Sequence, residues 1–112
     1  MNTIPMLGFL EPEITGTAMK VEEVNLAGAG SPSVAPFKSS RFVVYPGEAS
    51  PLDLHDVKEC WFIAGGSGIL TYDDQTSMPV KAGDVLFYDT RKSHTVFNNG
   101  KENLMIFAVW WQ

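Results

Sequence analysis

The 112-residue chain suits one domain and, at 45% hydrophobic residues, can bury a core without disulfides. Its net charge is −5 with eight scattered basic residues, which excludes the basic stripe that a nucleic-acid backbone rewards. One cysteine, Cys60, excludes an internal disulfide framework and points to a reducing, cytoplasmic compartment.

In chain order, the first 17 residues lack the basic start and apolar run of a secretion signal. They are expected to form a loose arm or an edge strand lent to a neighbouring subunit. A strand follows near 19–24, then a Gly-, Ala-, Ser- and Pro-rich loop over 25–38. Further strands are expected near 39–45, 58–64, 67–72, 77–80, 84–88, 94–98 and 103–111, in runs rich in Val, Ile, Phe, Tyr and Trp. Turns punctuate them at Pro46-Gly47, Gly65-Gly66, Asp73-Asp74, Ala82-Gly83 and Asn98-Asn99-Gly100. No window carries helical periodicity, and no apolar stretch reaches the ~18 residues of a membrane helix. The pattern is all-β, a sandwich or closed barrel. Residues 1–38 supply the arm, first strand and loop of the domain whose barrel core is 39–112.

Only two histidines are present, His55 and His94. In Asp53-Leu54-His55 a strand geometry puts Asp53 and His55 on one face, about 6–7 Å apart along the chain. A short turn then leads to Glu59, and in a barrel the inward residues of another strand bring His94 toward them. Cys60 follows Glu59 directly, so alternation turns it away as a packing residue.

Together the two segments resemble the cupin superfamily. Its first motif, G-x5-H-x-H-x3-E-x6-G, is met by Gly47, His55, Glu59 and Gly66, with Asp53 in place of the first His. Its second, G-x5-P-x-G-x2-H-x3-N, is met by Gly83, His94 and Asn98, with Asp89 for Pro and Arg91 for Gly. The resemblance spans residues 39–111 and implies a single antiparallel jelly-roll barrel, usually dimeric. It also implies one divalent metal on His55, Glu59, His94 and Asp53. Such nitrogen and oxygen donors suit Fe(II) or Zn foremost, with Mn, Ni or Co as alternatives. If Asp53 falls short of the ion, the other three leave a two-His-one-carboxylate face, and Asp53 becomes a base or a guide for water.

Softer candidates surround this set. Arg41, Val43 and Tyr45 share one strand face and Phe42 and Val44 the other, with the inward face undecided. Trp61 and Ile63 share Glu59's face and wall a pocket. Tyr88 offers a hydroxyl to substrate or caps its strand. Arg91 and Lys92 precede His94, where they draw a carboxylate-bearing substrate. Asp53, Glu59 and Tyr88 are thus the catalytic candidates, and Arg41, Trp61, Arg91 and Asn98 the substrate-contacting ones.

The resemblance implies a metal-dependent enzyme acting on a small polar metabolite. Oxygenase-like or biosynthetic chemistry (isomerase, cyclase or N–N bond formation) is expected. The alternative is a metal-anchored binding or sensing module without turnover. The run Leu104 to Trp111 is apolar on both faces, and a barrel has one interior, so a homodimer is expected.

Overall fold

A computed structural model describes residues 6–11, 14–27 and 35–112. Its strands are β1 (Ile14–Thr15), β2 (Met19–Glu23), β3 (Lys38–Val44), β4 (Lys58–Gly65), β5 (Ser67–Tyr72), β6 (Thr76–Lys81), β7 (Val85–Tyr88), β8 (His94–Phe97) and β9 (Leu104–Trp111). Each strand expected from sequence is present, its ends displaced by no more than a residue, and the described residues contain no helix. β1 falls in the segment expected as a loose arm or a lent edge strand, and it pairs with β2 of its own chain.

All pairings are antiparallel. One sheet runs β1-β2-β3-β9-β4-β7 and the other β6-β5-β8. The two sheets face each other as a jelly roll without closing into one hydrogen-bonded wall. Alternation explains the core: Phe42 and Val44 from β3, Trp61 and Ile63 from β4, and Leu104, Ile106 and Ala108 from β9 are buried together with Leu70, Val80, Tyr88 and Val96. The open question on β3 is thereby answered, with Phe42 and Val44 facing in. Pro79 sits on β6, an edge strand, where its missing N–H breaks no ladder.

The described parts of the N-terminal segment pair within their own chain. Phe9 bridges Val24, and β1 pairs with β2 through Ile14 and Val21. Residues 1–5 and 12–13, and most of the Gly/Pro-rich loop (28–34), lie outside the described residues.

Two turns are set by backbone conformation. Asp73 and Asp74 both take positive φ (55° and 56°), the twist that returns β5 into β6 as a tight hairpin. Gly66 has φ +81°, and a Cβ there would lie 2.5 Å from the Asn103 carbonyl oxygen, so only glycine fits.

The stretch between β3 and β4 is irregular but anchored along β8. Ser50 N–H donates to the Val96 carbonyl, and Asp53 and His94 exchange both backbone hydrogen bonds at 3.0 Å. This stretch carries two of the candidate ligands.

Candidate metal centre

His94 opens β8, and its backbone is held on both sides, by Tyr72 of β5 and by Asp53. Glu59 is the second residue of β4, between Trp110 of β9 and Tyr88 of β7. His55 lies just before β4, its carbonyl accepting a 2.8 Å hydrogen bond from the Arg91 N–H. The cluster therefore draws one group from each sheet and a third from the segment between them.

Glu59 Oε1 is 2.9 Å from His55 Nε2 and 3.3 Å from His94 Nε2. One ligand atom from each of the three residues lies within 4.8 Å of the others. Glu59 Oε2 accepts a 3.0 Å hydrogen bond from the Trp61 indole N–H. The indole thus holds one carboxylate oxygen and leaves the other to face the imidazoles. Sequence reasoning placed Trp61 as a pocket wall and substrate contact, not as the partner that fixes Glu59. Its i+2 spacing from Glu59 on one strand face was the available signal.

His94 is 1% exposed in its side chain, and neither ring nitrogen has a hydrogen-bond partner. Its Nε2 stands 3.3 Å from Glu59 Oε1. Orphaned buried imidazole nitrogens carry a desolvation cost that a bound cation removes. The donor set of two imidazoles and one carboxylate fits a first-row divalent ion.

Burial raises the Glu59 carboxyl, but the facing His94 imidazole, the Trp61 N–H and the fields of both histidines outweigh it. The group therefore sits below the ordinary carboxylate range and stays ionised. The Tyr88 phenol is pushed strongly up, by burial first and then by the neighbouring Glu59 and Tyr72. It remains a neutral hydroxyl. Burial and Glu59 also raise the Cys60 thiol, which stands on the opposite face of β4 from the cluster.

Asp53 is brought to the site but not into the triad. Its carboxylate is 4.0 Å from His94 Nε2 and 55% exposed, at the rim of a cavity of about 370 Å³. His55, Glu59 and Trp61 line the same cavity with Met19, Val21, Phe42 and Trp110. Three substrate-contacting candidates are not brought there. Arg41 faces outward, its Nη2 2.8 Å from Glu22 and its guanidinium over the Phe9 ring, because Phe42 takes the inward face. Arg91 pairs with Asp56 on the surface. Asn98 is buried as a brace, its amide donating to the Val44 and Glu102 carbonyls. Tyr88 lies behind His94 rather than on the cavity wall.

The cupin domain family model matches residues 40–110. A Thermotoga maritima protein described as an oxalate-binding protein is 35% identical over 71 residues, covering 62% of this chain. The matched stretch spans 58% of that relative's length. Among solved structures, a cupin 2 conserved barrel domain protein from Salinispora arenicola superposes with a TM-score of 0.78 at 28% identity, covering 99% of this chain and 91% of that one. A predicted oxalate decarboxylase from Thermotoga maritima gives a TM-score of 0.70 at 26% identity, covering 83% and 79%.

Proposed function

This chain belongs to the cupin domain family, and from that premise we propose that it is a metal-dependent enzyme acting on a small molecule held in the cavity beside the triad. His55 and His94 through Nε2, and Glu59 through Oε1, would hold one divalent ion. The observation that carries this reading is the convergence of these three atoms, with the buried His94 Nε2 facing Glu59 Oε1 at 3.3 Å and making no hydrogen bond. Fe(II) or Zn suits the set best, with Mn, Ni and Co compatible. A bound ion supplies Lewis-acid polarisation of a donor atom, and iron adds dioxygen chemistry.

The protein's own groups divide the remaining work. Trp61 fixes the carboxylate of Glu59, and the apolar wall of Phe42, Met19 and Trp110 excludes water and orients the ligand's body. Asp53, next to the triad yet open to solvent, would take a proton from a bound molecule and pass it to water. Elemental analysis of chelator-free protein tests the centre. About one equivalent of ion per chain is expected, and less than about 0.2 equivalents with no uptake from added ions overturns it.

A second reading, metal-anchored binding without turnover, is favoured by the relative's description as a binding protein. Turnover of a metabolite panel by metal-loaded protein separates the two.

We further propose that the chain is a homodimer. The outer face of β4, β7 and β9 exposes Phe62, Val85, Phe87 and Phe107, of which Val85 is 62% and Phe87 52% exposed. Burying such a patch favours a second copy.

A further inference from the structure

The cavity is unusual in its charge. All eight lysine and arginine side chains lie among the described residues, and none lines it. Four are tied to carboxylates elsewhere: Arg41 to Glu22, Lys81 to Asp84, Arg91 to Asp56 and Lys92 to Asp73. Lys20 and Lys58 alternate with cavity-lining neighbours on β2 and β4, and so belong to the other face of their strands. The charged groups that do line the cavity are the carboxylates of Asp53 and Glu59.

The arithmetic is short. A 2+ ion on neutral imidazoles with the Glu59 carboxylate leaves +1, and the Asp53 carboxylate brings the site to zero. Had position 53 been the family's histidine, the site would keep +1. A dianion entering here surrenders its hydration to a site with no net positive charge and no donor cation. An uncharged molecule surrenders little. The walls reward it, since Met19, Val21, Phe42, Val57, Trp61 and Trp110 give it apolar and aromatic surface. At about 370 Å³ the space holds a ring plus a donor group rather than a two-carbon diacid alone.

We propose that this cavity selects an uncharged ligand with an apolar or aromatic body and a single donor atom, and discriminates against small dicarboxylates such as oxalate. The donor atom's role rests on the metal reading of the preceding section. The preference for a neutral apolar body does not, because without an ion the two carboxylates repel an anion still more.

The test uses full-length protein at pH 8, as purified, reconstituted with Zn(II), and stripped with chelator, with metal content measured in each sample. Imidazole, 4-phenylimidazole and oxalate are titrated against tryptophan fluorescence, which Trp61 and Trp110 make sensitive to the cavity, and against heat. In the zinc-loaded protein 4-phenylimidazole should bind at least about tenfold more tightly than imidazole, from burial of the phenyl ring. Oxalate should bind more weakly than either. In stripped protein the same ranking should persist, with both azoles weakened by loss of the donor bond.

Oxalate binding more tightly than 4-phenylimidazole, in either form, overturns the proposal. Zinc uptake below about 0.2 equivalents with the ranking intact overturns the metal reading and leaves the selectivity standing. Asp53→Asn supplies the second arm. It raises the site's charge by one unit, and oxalate affinity of the zinc form should rise about tenfold or more while 4-phenylimidazole changes little. Unchanged oxalate affinity in that variant, with zinc bound, refutes the charge account.

Discussion

The ring of Tyr88 lies flat on the ring of His94, with centroids 4.1 Å apart and planes 6° from parallel. The Trp61 ring meets the same imidazole edge-on at 5.2 Å. A metal-ligating histidine is ordinarily oriented by a hydrogen bond from its other ring nitrogen, and His94 Nδ1 has none. Packing against two aromatic rings, one stacked and one edge-on, orients it instead. Tyr88→Leu should therefore weaken metal binding by about tenfold, within the range of lost outer partners. Tyr88→Phe keeps the ring, loses only an unpartnered buried hydroxyl, and should bind metal within about threefold of wild type. Competition titration against a chromophoric chelator, with the d–d spectrum of the Co(II) form, reads both. Equal loss in the two variants would assign the effect to the hydroxyl.

Acid should act on the centre in two ways. Ligating imidazoles must be neutral, so metal affinity falls as pH falls. In metal-free protein, the Glu59 carboxyl is held below its ordinary value of 4.5. Its stabilising contribution is then fully present above about pH 4.5 and is lost as pH falls through the folded value. Denaturant titrations of wild type and Glu59→Gln at a series of pH values should show curves that converge at low pH. A constant gap across the series would contradict the depressed carboxyl.

Asp53 stands 4.0 Å from His94 Nε2, outside the triad, so Asp53→Ala should retain most of the metal, while His94→Ala should hold less than about a tenth. If Asp53 handles a proton, Asp53→Ala nonetheless loses turnover. Asp53→His restores the family's pattern and should bind metal at least as well as the parent, yet turn over poorly. Metal content and activity that are both unchanged in Asp53→Ala and Asp53→His would make Asp53 a bystander.

Arg91 occupies the place where the cupin motif has glycine, and its backbone takes φ 60°. That left-handed conformation costs a non-glycine residue about 1 kcal/mol, and the turn it makes delivers the Arg91 N–H to the His55 carbonyl. Arg91→Gly relieves the strain, gives back part through a freer unfolded chain, and forfeits only an exposed ion pair with Asp56. A net gain of about 0.5 kcal/mol is expected, raising Tm by a few degrees. A lower Tm would show that the ion pair matters more than the backbone.

The apolar outer face predicts assembly. Light scattering at micromolar concentration should give a dimer mass, and Phe87→Glu, which charges a half-exposed ring on edge strand β7, should shift it toward monomer. A monomer mass for wild type would count against the second copy.

Strand positions, the turns at Gly66 and Asp73-Asp74, and the identities of His55, Glu59 and His94 were legible in the sequence. Each depends on local alternation, on positive φ, or on spacing within a motif, and these survive in one dimension. What the sequence left open depends on how distant strands meet. Which face of β3 looks inward was decided by packing, with Phe42 against Trp61 (ring centroids 5.0 Å apart) and Arg41 turned out to Glu22 on β2. Asn98 matched a motif position, but only the fold shows its amide joining the end of β3 to the turn before β9. Asp53 entered the ligand set as the counterpart of the cupin motif's first His, with direct ligation and a role as base both open. Only the placement of its segment along β8 puts its carboxylate 4.0 Å from His94 Nε2, half exposed on the cavity that His55, Glu59 and Trp61 also line.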